Sequence, residues 1–119
     1  MSKDFFCHIQ LPAKDLNRVK NFYKTVFNWN FENLQKDIIL FNPMEGVGGS
    51  FKLVKEISAN TCVLPYICVE DIEKTLELII ENNGSLIEIK TEIPGLGYVA
   101  KFSDTEGNVI ALLEEYKNE

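Results

Sequence analysis

An internal repeat constrains the fold of this chain more than any other feature of its sequence. Asp15 begins one amphipathic helical segment, and Asp71, 56 residues later, begins a second one. The apolar positions of the two segments coincide, and so do Glu32 and Glu88 in the predicted strands that follow. The chain is therefore predicted to contain two copies of one supersecondary unit.

Each copy has the element order β-α-β-β-β. Apolar residues in short alternating runs predict strands at residues 5–11, 29–34, 38–41 and 50–54, and again at 62–69, 86–89, 97–102 and 108–113. Glu-Gly turns at residues 45–46 and 106–107 also match, 61 residues apart. The second copy therefore has about five more residues than the first, around residues 91–95.

We predict an α+β fold of two tandem βαβββ modules that form a curved mixed sheet with a central cup. Module one covers about residues 5–56 and module two about residues 61–115, within a single domain of 119 residues. Each half is too small to bury its own sheet, so we expect the halves to share one cleft.

Charge and composition exclude several classes of function. The chain has 12 Lys and Arg against 18 Asp and Glu, a net charge of −6. Without a basic cluster it does not resemble a nucleic-acid reader or a protein that binds anionic membranes. No apolar run is long enough to span a bilayer, and none at the start resembles a signal peptide. Three cysteines without a Cys-x-x-Cys pair encode neither a disulfide framework nor a zinc ribbon, so we expect a cytoplasmic protein.

Several segments resemble the vicinal oxygen chelate superfamily, which includes glyoxalases, bleomycin-resistance proteins and extradiol dioxygenases. Residues 7–16 and 22–29 are similar to the opening of its first module, and residues 69–72 to the start of its second. Residues 104–112 resemble its closing D-x-x-G-N-x-I hairpin, and residues 91–98 resemble a segment of its small glyoxalase-like members. The resemblance covers nearly the whole chain and implies the fold, but no particular reaction.

Metal enzymes of this superfamily hold a divalent ion with His and Glu side chains from the first and fourth strands of each module. The resemblance places these positions at His8, Ser50, Leu64 and Ala111. A catalytic ion needs about three protein ligands, and only His8 is a good one. We therefore expect no metal cofactor, and a single histidine excludes the dioxygenase site. A different ion site that uses Glu45, Glu56 or Glu114 stays open, although their spacing does not favour it.

The resemblance also directs His8 into the cleft, as a general acid or base or as a hydrogen-bond donor to a substrate. The alternative is a histidine satisfied by a neighbour, or the remnant of a lost ion site. The residues expected to line the cleft and bind ligand are Gln10, Ser50, Lys52, Leu64, Tyr66, Tyr98 and Ala111. Lys52 either holds an anionic ligand group or is a solvent-exposed charge on a strand, and the tyrosines are cleft walls or core.

The leading hypothesis is a glyoxalase-like protein that binds a small molecule, either without chemistry or as a metal-independent lyase or isomerase. One alternative is a bleomycin-resistance-like protein that sequesters a cationic drug or metabolite in an acidic, aromatic cleft. A second alternative is a metal-dependent lyase or isomerase with non-standard ligands. The resemblance further implies a homodimer.

Overall fold

A computed structural model describes residues 6–57 and 63–117. The chain divides into two compact units, Met1–Ile57 (unit 1) and Ser58–Glu119 (unit 2). The described part of each unit contains one helix and a four-stranded mixed sheet in the order β-α-β-β-β. The predicted α+β class with tandem βαβββ modules is confirmed.

The two units have equivalent elements and equivalent strand orders. Unit 1 contains β1 (Ile9–Ala13), α1 (Leu16–Phe27), β2 (Asn30–Gln35), β3 (Ile38–Asn42) and β4 (Gly49–Leu53). Unit 2 contains β5 (Tyr66–Cys68), α2 (Ile72–Glu81), β6 (Ser85–Ile93), β7 (Gly97–Ser103) and β8 (Val109–Glu114). The sheet orders are β1-β4-β3-β2 and β5-β8-β7-β6. Strand β1 pairs in parallel with β4, and β5 pairs in parallel with β8.

Both helices begin in the same way, as the repeat predicts. The Asp15 carboxylate accepts a hydrogen bond from the Arg18 N–H at 3.0 Å, and the Asp71 carboxylate accepts one from the Lys74 N–H at 3.2 Å. Each aspartate satisfies a backbone donor that the first helical turn leaves unpaired. Asn28, the residue after α1, has the left-handed conformation typical of a helix C-terminus.

Three strands differ from their predicted extent. Pro12 lies inside β1 rather than after it, because β1 is at the edge of its sheet and needs no N–H at that position. The extra residues of the second copy lengthen β6, whose pairing with β7 contains two register shifts. Strand β5 has only three residues, while Phe5 and Cys62, where two strands were predicted to begin, lie outside the described residues.

Each unit has its own apolar core between its helix and its sheet. In unit 1, the fully buried Phe51 lies 5.2 Å from both Tyr23 and Phe41, measured between ring centroids. Trp29 stacks on both Tyr23 and Phe41. In unit 2 the core consists mainly of Ile72, Ile79, Ala100, Phe102, Ile110 and Leu112.

The hairpin between β7 and β8 is held by one buried carboxylate. Asp104 Oδ1 accepts hydrogen bonds from the N–H groups of Glu106 at 2.8 Å and Asn108 at 2.9 Å. Gly107 then has φ +91°, a conformation that suits a residue without a Cβ. The D-x-x-G-N segment is thus a self-contained turn that sets the start of β8.

Two expectations from composition concern membranes and cysteines. No helix within residues 6–57 and 63–117 is long and apolar enough to cross a membrane. In the same part of the chain, Cys7 and Cys68 are exposed free thiols. Cys62, the third cysteine, lies outside it.

Candidate functional site

Helix α1 covers only one face of the unit 1 sheet, and the other face carries the predicted site residues. Phe51 points toward α1, so its neighbour Ser50 points away from the helix. Strand pairing aligns four side chains across this face, which points away from α1, one from each strand. This row consists of Gln10, Ser50, Leu40 and Glu32. Lys52 lies on the same face, two residues after Ser50 in β4, and is exposed.

The centre of this face is a hydrogen-bonded group that contains His8, Ser50 and Gln10. His8 Nε2 lies 3.0 Å from Ser50 Oγ, and Ser50 Oγ lies 3.5 Å from Gln10 Oε1. Ser50 is only 2% exposed, whereas His8 and Gln10 are exposed. A hydroxyl has one proton, so two arrangements are available. In one, Ser50 donates to Gln10 and accepts from the His8 imidazole. In the other, Ser50 donates to the His8 imidazole. The group therefore joins an exposed imidazole to a buried hydroxyl that either donates or accepts.

Gly49 allows this group to form. It pairs with Ile9, and a Cβ at residue 49 would collide with the Ile9 carbonyl oxygen and the Phe41 ring. Only glycine therefore lets β1 approach β4 at this point. The same approach brings His8, just before β1, beside Ser50.

Unit 2 has an equivalent face, pointing away from α2, with different chemistry. Its row is Tyr66, Ala111, Lys101 and Glu88. Lys101 Nζ and Glu88 Oε1 form an ion pair at 3.3 Å. Leu64 precedes β5 at the place that His8 occupies before β1. Where unit 1 has an imidazole and a hydroxyl, unit 2 has leucine and alanine side chains.

Tyr98 was predicted to line the same cleft as Tyr66 and Ala111, but it lies on the opposite face of the unit 2 sheet. It pairs with Glu114, on the face of the unit 2 sheet that α2 covers. Lys90 Nζ lies 4.7 Å above the Tyr98 ring. The reason is strand alternation: Lys101 pairs with Ala111 on one face, and Tyr98, three residues earlier, must lie on the other.

The side chains at the superfamily's four ion-binding positions do not fit a divalent ion. His8 already forms a hydrogen bond through Nε2, Ser50 offers a protonated hydroxyl, and Leu64 and Ala111 offer no donor. Elsewhere in the described residues, no three His, Cys, Asp or Glu side chains are grouped to hold an ion. Glu114, considered above as a ligand, instead accepts the Ile72 N–H at 2.9 Å and pairs with Lys90.

A separate cleft of about 300 Å³ lies in unit 2 at the ends of β5 and β8. Its lining consists of Cys68, Val69, Glu70, Glu115, Tyr116 and Lys117. The Cys68 thiol lies 3.7 Å from Glu115 Oε1, toward which it is directed as a donor. Burial, followed by the charge and hydrogen bond of Glu115, raises the pKa of this thiol. None of the predicted ligand-binding residues lines the cleft.

Replacing Glu115 with glutamine should accelerate alkylation of Cys68 by iodoacetamide. The thiolate is the reactive form, and loss of the carboxylate lowers the raised pKa, so more thiolate is present at pH 8. We expect an increase of roughly threefold, because a charge open to solvent is partly screened. Peptide mass spectrometry distinguishes Cys68 from the other cysteines. Glu81→Gln, on the exposed surface of α2, should leave the rate unchanged, and equal rates in all three proteins would contradict the role of Glu115.

Comparison with known proteins places the fold. No protein-family model matches the chain. A glyoxylase-like domain-containing protein from Didymella fabae is 28% identical over 117 residues, covering 87% of this chain and 88% of that protein. A glyoxalase/bleomycin resistance protein/dioxygenase family enzyme from Burkholderia phytofirmans PsJN matches with a TM-score of 0.79 and 17% identity, over 92% of this chain and 97% of its own.

A third match is the fosfomycin resistance protein FosX from Listeria monocytogenes, in a complex with Mn(II) and sulfate. Its TM-score is 0.81 at 18% identity, over 97% of this chain and 93% of FosX. The chain therefore has the fold of the vicinal oxygen chelate superfamily, which confirms the resemblance seen in its sequence. In sequence it is similar to a glyoxylase-like domain-containing protein, and the likeness does not specify a reaction.

Proposed function

We propose that this chain binds a small molecule on the face of the unit 1 sheet that points away from α1, with His8, Ser50 and Gln10 as the polar centre of the site. The observation that carries the proposal is the 3.0 Å contact between the His8 imidazole and the buried Ser50 hydroxyl. Polar groups of this kind, set beside apolar side chains such as Leu40, are typical of small-ligand sites. Lys52, exposed on the same face, supplies a positive charge for an anionic part of the ligand.

The chemistry available to this centre is proton transfer. An imidazole is well suited to accept or donate a proton near neutral pH. Ser50 holds the ring through Nε2, and the other nitrogen of the exposed imidazole is left to hydrogen-bond a carbonyl or hydroxyl oxygen of the ligand. A metal-independent lyase or isomerase would use His8 to move a proton next to such an oxygen. A binding protein would use the same two groups only for recognition.

Loss of His8 should weaken ligand binding while leaving the fold intact. We would screen the chain by thermal shift against fosfomycin, bleomycin and small hydroxycarbonyl compounds, since a ligand of the native state raises the midpoint. For a compound that binds, His8→Ala and Ser50→Ala should each weaken affinity about tenfold, because the first removes the imidazole that bonds the ligand and the second removes the hydroxyl that holds this imidazole in place. Asn17→Ala, an exposed change on α1, is the matched control. Unchanged affinity in both site variants would contradict the proposal.

A second candidate function is sequestration of a cationic ligand. It is favoured by the net charge of −6 and by Glu32, which lies in the same cross-strand row as Ser50. Binding would then depend on Glu32 and weaken with salt, and it would be insensitive to His8→Ala. Comparing Glu32→Gln with His8→Ala against bleomycin separates the two functions.

Assembly and location extend this proposal. We expect a homodimer, as the resemblance implies, and a cytoplasmic protein with reduced cysteines. Size-exclusion chromatography with light scattering tests the first expectation. Fractionation of the source cells tests the second.

A further inference from the structure

The two units have the same framework around the superfamily's ion positions. Gln10 pairs with Ser50 in unit 1, and Tyr66 pairs with Ala111 at the equivalent place in unit 2. His8 and Leu64 each lie two residues before the first member of these pairs. The backbone thus presents the two positions of each unit in the same way, and any difference in ion binding between the units comes from their side chains.

These side chains include one imidazole and no carboxylate. A hard ion such as Mn²⁺ prefers carboxylate, carbonyl and water oxygens, and softer ions prefer several imidazoles or thiolates. A protonated hydroxyl contributes little to either, and two of the four positions carry only hydrocarbon. The positions retain about one protein ligand where a bound ion needs about three.

The Nε2 nitrogen of the one imidazole is already used. His8 Nε2 lies 3.0 Å from Ser50 Oγ, a normal hydrogen-bond length. Ser50 is buried, so its hydroxyl needs this partner or Gln10. Metal binding at Nε2 would break the shorter of the two Ser50 hydrogen bonds. The ion would gain only weak ligands at the other positions.

We infer that the His8–Ser50 hydrogen bond replaces the superfamily's divalent ion in this protein, so that the site holds its imidazole with a hydroxyl instead of a metal. The inference concerns the ion site alone and does not depend on which ligand the proposed function involves. Ion binding and ligand binding are measured separately, so either statement can fail without the other.

The first test measures Mn²⁺ binding to the full chain, freed of any affinity tag. The electron paramagnetic resonance signal of free Mn²⁺ decreases when the ion binds protein. We expect the chain and its His8→Ala variant to give the same weak titration, from dispersed surface carboxylates. Stoichiometric binding at micromolar Mn²⁺ that His8→Ala abolishes would overturn the inference. The probe is manganese because its preference for oxygen ligands avoids the neighbouring Cys7 thiol.

The second test reads the hydrogen bond itself. His8 is the only histidine, so the chain gives one set of imidazole nuclear magnetic resonance signals. Ser50→Ala should shift the Nε2 signal, whereas Ser85→Ala, an exposed change on β6, should leave it in place. An Nε2 signal unmoved by Ser50→Ala would show that the pair is not formed and would overturn the inference.

Discussion

Replacement of Phe51 by alanine should lower the free energy of unfolding by about 3–5 kcal/mol, the usual effect of removing a buried aromatic ring. Phe51 is fully buried, and its ring lies within contact of those of Tyr23 and Phe41. The vacated volume cannot be filled without moving α1 or β3, because both are held by their own hydrogen bonds. This loss is a large part of the stability of a small domain.

The measurement uses Trp29, the single tryptophan, which stacks on Tyr23 in the same cluster. Its fluorescence during urea denaturation therefore reports on unit 1. Leu53→Ala is the matched control, because Leu53 lies two residues along the same strand but is 41% exposed. We expect the control to lose less than half as much. If Phe51→Ala unfolds the chain entirely, Phe51→Leu should give a smaller, measurable loss. Equal losses at Phe51 and Leu53 would contradict the role given to the aromatic cluster.

Gly49→Ala should destabilise the chain by about 3 kcal/mol, at the upper end of the usual range for overpacking. The added Cβ would collide with the Ile9 carbonyl oxygen, a backbone atom that cannot rotate away, and with the Phe41 ring. Strand β1 must then move off β4, and His8 must move away from Ser50. The variant should therefore lose stability and the His8 hydrogen bond together.

Urea denaturation measures the first effect and the His8 imidazole signals measure the second. Ser50→Ala is the control, since it removes the same hydrogen bond without a collision. It should change the imidazole signals with less than half the loss of stability. A Gly49→Ala protein with unchanged imidazole signals would show that the close approach of β1 does not position His8.

The repeat made most of the fold predictable. Asp15 and Asp71 cap their helices with nearly identical geometry, because a helix N-terminus needs the same acceptor in both copies. Strand boundaries were less accurate. Pro12 was expected to end β1, but its missing N–H costs nothing at a sheet edge, and position in a sheet is not visible in a local sequence pattern.

The candidate site could be predicted only in part. Alternation placed His8 and Gln10 on one side of β1, and the register adds Ser50 and Lys52 to that face. Tyr98 was predicted to line the cleft but lies on the face that α2 covers. The register between β7 and β8 decides its face, and a local sequence pattern does not reveal that register. Glu32 coincided with Glu88 in the repeat, but the repeat alone did not show which side chains lie beside them on the neighbouring strands.

The register shifts of β6 have a consequence for aggregation. This strand ends its sheet and exposes two isoleucines, Ile87 by 50% and Ile89 by 69%, beside a row of backbone groups that could pair with another chain. Its shifted pairing with β7 twists and interrupts that row, so a second chain cannot add a regular strand along its length. The irregular stretch that contains Glu88 and Lys90 thus disfavours strand addition by a second chain at an apolar edge.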